Sequence, residues 1–568
     1  MRIVASLVLI LSLLGSPQCQ GQSAARSSGT SGLCSVAGQV TSMSTGQSIK
    51  TATIWLRPVN TDTAELATVR MSVLGYGSSA NQGLYSVTAR DDGSFCFENV
   101  TPGLYTMTGS KTGYLETSYR AVSPTESGKI IVVQAEPLRN LKLALISQAV
   151  VGGRITDEDS EPVSGATVSL LMRMVVGGQV RNVPVRGAQS NDLGEFRVAS
   201  VAPGTYYVVV DPKPAIPHPA GQTRSRLRTF YPGVSSFTQA TPIVVRAGEG
   251  RLGLNVELLS GQTHYVRGSI SGLLPTDQGS IQIHPEEEQQ VFIAIGGPNY
   301  RADGSFEFAG IATGTYTLSY FQLSGDSAKS ARVSITVGDR DVNDVVLSVV
   351  NSVAVAGHIN VEGSTGGAVV DFSKLRVNLS SADAIVGPSV NAVIDADGAF
   401  VVRNIIPGRY TLRVEPPKGT YLKVAHYGRV DVKDGELEIV KGGSDVLELV
   451  YEYGLATVIG RVESHGRDTE ASRLVLIPLD RNSTGNGLIL GTSDGTGAFL
   501  ISSVPPGRYR AHAFESIDFA ALESSDVRQA LRSSGTPIEI AEGERKSITL
   551  PLTSSEEHLR LVSIASGQ

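Results

Sequence analysis

The chain has 568 residues, a formal net charge of −6, 18% charged residues, 62 Gly, 26 Pro and one Trp. That length is too great for one core and predicts several domains, at roughly 150 residues each. Sparse charge and abundant turn formers favour β structure over helical bundles, and without a basic excess there is nothing to hold a phosphate backbone, so no nucleic-acid partner is expected.

At the start of the chain, Arg2, the apolar run 3–14 and the break Gly15-Ser16-Pro17 predict an export signal over residues 1–21, cut before Gln22. The alternatives are acylation of Cys19, which would want a small residue where Gln18 stands, and a retained anchor. No other run approaches the ~20 apolar residues of a spanning helix, so no transmembrane span is expected after cleavage. Removal of the signal leaves Cys34 and Cys96. An even count in an exported chain predicts a disulfide between them; two unpaired thiols are the alternative.

Beyond residue 33 one pattern returns five times. A strand with a central glycine opens each copy: Val36-Ala-Gly38, Val151-Gly-Gly153, Val266-Arg-Gly268, Val355-Ala-Gly357 and Val458-Ile-Gly460. A short alternating run follows, with inward pairs Ile54/Leu56, Val168/Leu170, Ile281/Ile283, Val377/Leu379 and Leu474/Leu476. Next come a turn glycine, a Phe, and a Tyr ten residues after that Phe: Phe95/Tyr105, Phe196/Tyr206, Phe306/Tyr316, Phe400/Tyr410 and Phe499/Tyr509. In "DDGSFCFENVTPGLY" (91–105), Asp-Gly reads as the turn that starts a strand, Phe95 and Phe97 share an inward face, and Pro102-Gly103 reads as the next turn. Tyr105 then enters the following strand, where a buried ring with its hydroxyl on backbone makes a tyrosine corner. The Tyr-to-Tyr steps of 101, 110, 94 and 99 residues match a small domain rather than a solenoid repeat.

These features predict an all-β fold, a tandem array of five seven-stranded Greek-key β-sandwiches of immunoglobulin-like type. The expected boundaries are 33–146, 147–260, 261–350, 351–452 and 453–555, with a tail at 556–568. Short connectors predict a row of modules acting as a spacer.

The glycine-centred strand, the DxxGxF turn and the PGxY corner resemble carboxypeptidase regulatory-like repeats, which have the transthyretin-like, carbohydrate-binding-like fold. Repeat three departs with Thr313-Gly314 in place of Pro-Gly. The stretch "TFYPGVSSFTQATPIVVRAGE" (229–249) and the segment 513–535, whose Leu522, Val527 and Leu531 predict a short helix, resemble large exported bacterial proteins of this type. The resemblance implies secretion, a non-catalytic accessory role and no cofactor; it implies no particular ligand.

Motifs that carry chemistry are weak. His284-Pro-Glu-Glu287 matches a zinc-ligand spacing but sits in a strand-rich context with a proline inside it, so no metal is expected there. Gly491-Thr-Ser493-Asp-Gly495 matches a nucleophile-elbow pattern but lies between predicted strands, not between strand and helix. Asp91-Asp92, Asp157-Glu158-Asp159 and Asp395-Ala-Asp397 have oxygens for calcium and equally read as turn formers. The segment 212–230, with Arg224, Arg226 and Arg228, reads as a mobile insertion with a solvated basic edge; contact with an anionic glycan is the alternative.

Alternation places Trp55 on the outer face of its strand, where the other repeats have Ser169, Gln282, Asn378 and Val475. Its indole could stack on a sugar, or be covered by the insertion 60–84 or a neighbouring domain. Tyr231 is a second aromatic candidate for a ligand. The expected protein is thus an exported, non-enzymatic binding or scaffold module of the cell envelope or extracellular space, with a polysaccharide or an envelope protein as partner. The alternatives are a carbohydrate-binding protein using Trp55 and Tyr231, and an accessory subunit of a separately encoded peptidase or outer-membrane transporter.

Overall fold

The computed structural model describes residues 34–59, 85–121, 126–176, 179–212, 224–274, 277–286, 300–324, 327–363, 371–372, 375–381, 390–414, 416–433, 435–440, 445–463, 470–479, 487–518, 521–558 and 560. The predicted export signal, the insertion 60–84 and most of the tail lie outside these residues.

The first repeat sets the layout. Its strands are β1 (Cys34–Ser42), β2 (Thr53–Pro58), β3 (Tyr85–Thr88), β4 (Ser94–Glu98), β5 (Gly103–Ser110), β6 (Thr117–Ser118), β7 (Ile130–Val133) and β8 (Leu138–Leu145). β1 lies between β4, antiparallel, and β8, parallel. Facing that sheet is a second one, in the order β3-β2-β5-β7. The same order returns along the chain. Val353–Glu362, for instance, lies between Ala399–Ile405 and Leu447–Tyr453, opposite the order Val390–Val393, Arg376–Ser381, Gly408–Val414, Glu436–Ile439. The chain is therefore all-β and its sheets pack as sandwiches. Five separate apolar clusters form, each on one copy of the repeat.

The motif residues explain why. All ten anchors are buried, at 6% exposure or less. Each tyrosine hydroxyl donates to the carbonyl four residues earlier: Tyr105 to Thr101 (2.9 Å), Tyr206 to Ala202 (2.7 Å), Tyr316 to Ala312 (2.9 Å), Tyr410 to Ile406 (2.7 Å) and Tyr509 to Pro505 (2.8 Å). A buried phenol is thereby satisfied while its ring fills the core. The glycine of the opening strand sits where the parallel last strand and the Phe ring both press close: a Cβ on Gly38 would stand 2.2 Å from the Leu141 carbonyl oxygen and 2.8 Å from Phe95 Cζ. Any side chain there would push the sheet apart.

Of the two turns, the second differs from the sequence reading. Before the Phe strand, Gly93 takes φ +79° as expected, and the Asp92 carboxylate caps the turn by accepting from the Ser94 N–H at 2.8 Å. The second left-handed residue, however, is Asn99 (φ +56°), ahead of Pro102-Gly103; it recurs at Ser200, Gly310, Asn404 and Ser503. Gly103 instead begins β5 against the Tyr105 ring, 3.4 Å from where its Cβ would be.

Three further features depart from a simple row. The strand Arg224–Arg226, expected to be loop within the second repeat's span, pairs antiparallel with Ser260–Ser271 of the third. In the last repeat Ala513 and Phe514 pair parallel with Leu552 and Thr553, so its two layers join into one seven-stranded sheet. The predicted helix is α1 (Ser525–Ser533), capped by the Ser524 hydroxyl; Leu522, Val527 and Leu531 pack with Val475, Ile477 and Phe514 over that sheet's outer face. Finally, the Glu470–Ala471 strand of the last repeat pairs antiparallel with β7 of the first. The expected linear spacer is corrected: the array folds back so that its first and last units touch.

Candidate functional sites on the outer faces

β2 presents Trp55 and Arg57 outward, as strand alternation requires, and Val59 follows just past its end. Trp55 stands opposite Ser86 on β3 and Thr108 on β5, and is half-buried. The Arg57 guanidinium lies 5.7 Å from its ring centroid, and Arg57 Nη1 donates to Thr108 Oγ1 at 3.1 Å and faces Glu116 at 3.6 Å. One indole face is therefore engaged by a cation, an attraction that desolvation strengthens. What remains is a half-buried ring beside the exposed Ser86, while Thr108 is buried with its hydroxyl taken by Arg57; a sugar ring could stack there and bond to Ser86. Val59 continues this row beneath the last unit, in a cluster with Leu104, Ile130, Val132 and Ala471.

Tyr231 is placed differently from a free loop aromatic. It is half-buried and packs against the second repeat's core. Its N–H donates to the Val208 carbonyl and its own carbonyl accepts from Thr241, each at 2.9 Å. The neighbouring Phe230 and Phe237 cover Leu171 and Val209 on that sheet's outer side. Cys34 and Cys96 are joined by a disulfide, Cα–Cα 5.5 Å, which staples β1 to β4.

The basic edge and one acidic turn answer each other. Arg224 pairs with Glu158 (2.6 Å), Arg226 with Asp157 (2.8 Å) and Arg228 with Asp211 (2.6 Å). Asp157 also accepts the backbone N–H groups of Asp159 and Glu161, and the Arg226 hydrogen bond holds its carboxyl below the usual range. Arg224 and Arg226 thus stay on a solvated edge, each paired with a carboxylate, while Arg228 is largely buried against Asp211, and the Asp157 carboxylate is occupied in holding its turn. Asp397 caps its turn through the Ala399 N–H at 3.1 Å. Among the described residues no group of three or more His, Cys, Asp or Glu side chains is placed to hold a metal ion. His284 ends its strand with Nε2 3.2 Å from Gln282 Oε1, and Glu287 lies outside the described residues. Ser493 is buried; its Oγ accepts from the Ser472 N–H (2.9 Å) and donates to the Asp494 carbonyl (3.1 Å), in a turn between two strands.

The contact between first and last units was missed from sequence. Lys129 Nζ lies 3.1 Å from Glu470 and 3.4 Å from Glu515, and Arg120 Nε lies 3.2 Å from Glu470. The Ser127 N–H donates to the Ile517 carbonyl (3.2 Å), and Ser516 Oγ donates to the buried Glu126 (3.5 Å). Behind this contact the fully buried His558 accepts the Asp518 N–H at 3.0 Å and packs on Phe514; burial pushes its imidazole down to about 4. One signal was available: β7 reads Ile-Ile-Val-Val, apolar on both faces.

Comparison with known proteins adds the following. The chain is similar in fold to the Bacillus anthracis TIE protein (9% identity, 71% of this chain and 74% of that chain, TM-score 0.15). It is also similar to a streptococcal ancillary pilin (13% identity, 51% and 99%, TM-score 0.18) and to the minor pilin of Streptococcus agalactiae (12% identity, 39% and 94%, TM-score 0.21). At these scores the likenesses carry no functional argument. No curated protein matches the chain. The carboxypeptidase regulatory-like domain family matches residues 150–214, a stretch that runs from the glycine-centred strand through the Phe196/Tyr206 pair. Residues 150–214, within the second repeat, are therefore similar to the carboxypeptidase regulatory-like domain.

Proposed function

We propose that this protein is an exported, non-catalytic array of β-sandwich units, divided at the boundaries given above, that serves as a binding or scaffold module of the cell envelope or extracellular space. One observation carries the reading: the residues that define the repeat are consumed inside it. Each Phe fills a core, each Tyr closes its own corner, and the Ser493 hydroxyl bonds to backbone on both sides. The Cys34–Cys96 bridge supports an oxidising compartment. Fractionation of cells with mass spectrometry of the mature N-terminus tests export: an N-terminus at Gln22 is expected, and unprocessed protein in the cytoplasm would refute it. Affinity capture from an envelope extract tests the partner and also the accessory-subunit alternative, which requires a peptidase or transporter in the captured fraction.

A second reading, carbohydrate binding, is favoured by Trp55, half-buried beside the exposed Ser86. A glycan array probed with the protein and with Trp55→Ala decides it. Binding lost in the variant supports the reading; no binding, or binding that the variant retains, removes it.

A further inference from the structure

Four edge strands at matching positions can be compared. In the second, fourth and last repeats they are Ile243–Val245, Glu436–Ile439 and Thr536–Ile540, and in each the outward positions are exposed. Their outward residues include Val244, Glu436, Glu438 and Glu539. β7 is different: outward Ile130 and Val132 are apolar and buried. Unpaired apolar edges are a hazard unless something covers them. The cover here is Glu470–Ala471, with Glu470 opposite Ile131 and Ala471 opposite Ile130.

We propose that this edge is an exchangeable strand-docking site, and that the partner it fits is a second copy of this chain, each copy placing its last unit on the other's first. The joint is small against the cores it connects: a two-residue ladder, three buried apolar residues, the Ser127–Ile517 and Ser516–Glu126 hydrogen bonds, and a few ion pairs centred on Lys129 and Glu470. Within one chain it must bring together residues 341 apart. Contacts between two copies would be identical, so only the entropy of closure separates the two arrangements. Charge gives the docking a direction. The first unit contributes Lys129 and Arg120, the last Glu470 and Glu515, so first-to-last pairing is attractive and first-to-first pairing sets like charges together.

The test is a disulfide trap across the ladder. The double variant Ile130→Cys/Ala471→Cys is oxidised with oxidised glutathione over a range of protein concentrations, after mixing isotope-labelled with unlabelled chains. Mass spectrometry of the 130–471 cross-link then reads whether it joins one chain or two. The expected result is a within-chain link in dilute protein and a between-chain link whose share rises with concentration. A within-chain link at every concentration, or no link between these positions, overturns the proposal. Light scattering of the unsubstituted protein and of Ala471→Asp provides a readout without new cysteines. Mass should rise with concentration in the first and not in the second; no rise, or a rise that Ala471→Asp leaves intact, also overturns it.

Discussion

Gly460 lies directly beneath Ile548: a Cβ on the glycine would stand 1.9 Å from the Ile548 carbonyl oxygen and 2.8 Å from Phe499 Cζ. The parallel pairing of this strand with Arg545–Thr553 depends on that empty space. Gly460→Ala should therefore destabilise the last repeat by about 3 kcal/mol, the upper range for overpacking a core. Hydrogen exchange along Arg545–Thr553 should speed up, with exchange in the first repeat's β1 unchanged; unaltered protection at both places would refute the steric account.

Tyr206 should respond to both substitution and alkali. Tyr206→Phe keeps the ring and removes the donor to the Ala202 carbonyl, at a cost of about 1 kcal/mol. Burial pushes the phenol up to about 12 from the ordinary 10.0. The sign follows: the folded state favours the protonated phenol, so this contribution is fully present below pH 10 and is lost as pH rises toward 12. Phenolate absorbance should show a late-titrating group of tyrosines, Tyr410 and Tyr421 among them, whose amplitude falls by one ring in Tyr206→Phe.

Reduction of the Cys34–Cys96 bridge should loosen one end of the chain selectively. The bridge closes a separation of 62 residues. Its loss, by reductant or Cys96→Ser, should cost the first repeat about 2–4 kcal/mol. Limited proteolysis should then cut first within residues 34–145, before the later repeats are attacked.

Asp277 in the third repeat is tied into a polar cluster. It accepts from the Leu274 N–H (2.7 Å) and Gln322 Nε2 (2.9 Å) and pairs with Lys329, while Tyr320 donates to Gln322 (2.7 Å). The Leu274 bond first, then Lys329 and Gln322, push its carboxyl down from 3.8 to about 2. The contribution is present above pH 3.8 and is lost as pH falls toward 2. Asp277→Asn leaves Lys329 without its counter-charge and should cost about 3 kcal/mol at neutral pH. Urea midpoints should differ between the two proteins at pH 7 and converge as pH falls from 4 to 2.

What the sequence revealed divides along a physical line. The anchors Phe95 and Tyr105, the turn Gly93 and the crowded Gly38 each answer to a constraint inside one repeat, and five copies make such constraints visible as spacing. The short helix was likewise legible from Leu522, Val527 and Leu531, but that it covers the outward Val475 was not. Contacts between repeats leave no spacing to read. Within the second repeat, too, Arg224, Arg226 and Arg228 read as a solvated basic edge because their partners Glu158, Asp157 and Asp211 lie 66, 69 and 17 residues away in the chain. Trp55 was placed correctly on its outer face, but the approach of Arg57 depends on side-chain packing that alternation does not encode.

The Arg224–Arg226 strand has a practical outcome for anyone dividing the chain for piecewise study. Cutting at residue 260 looks natural from the repeat, yet it strips the third sheet of an outer ribbon and bares the backbone of Ser260, Gly261 and Gln262 at the start of its strand. A fragment that begins before residue 224 keeps this ribbon and should be the better-behaved preparation.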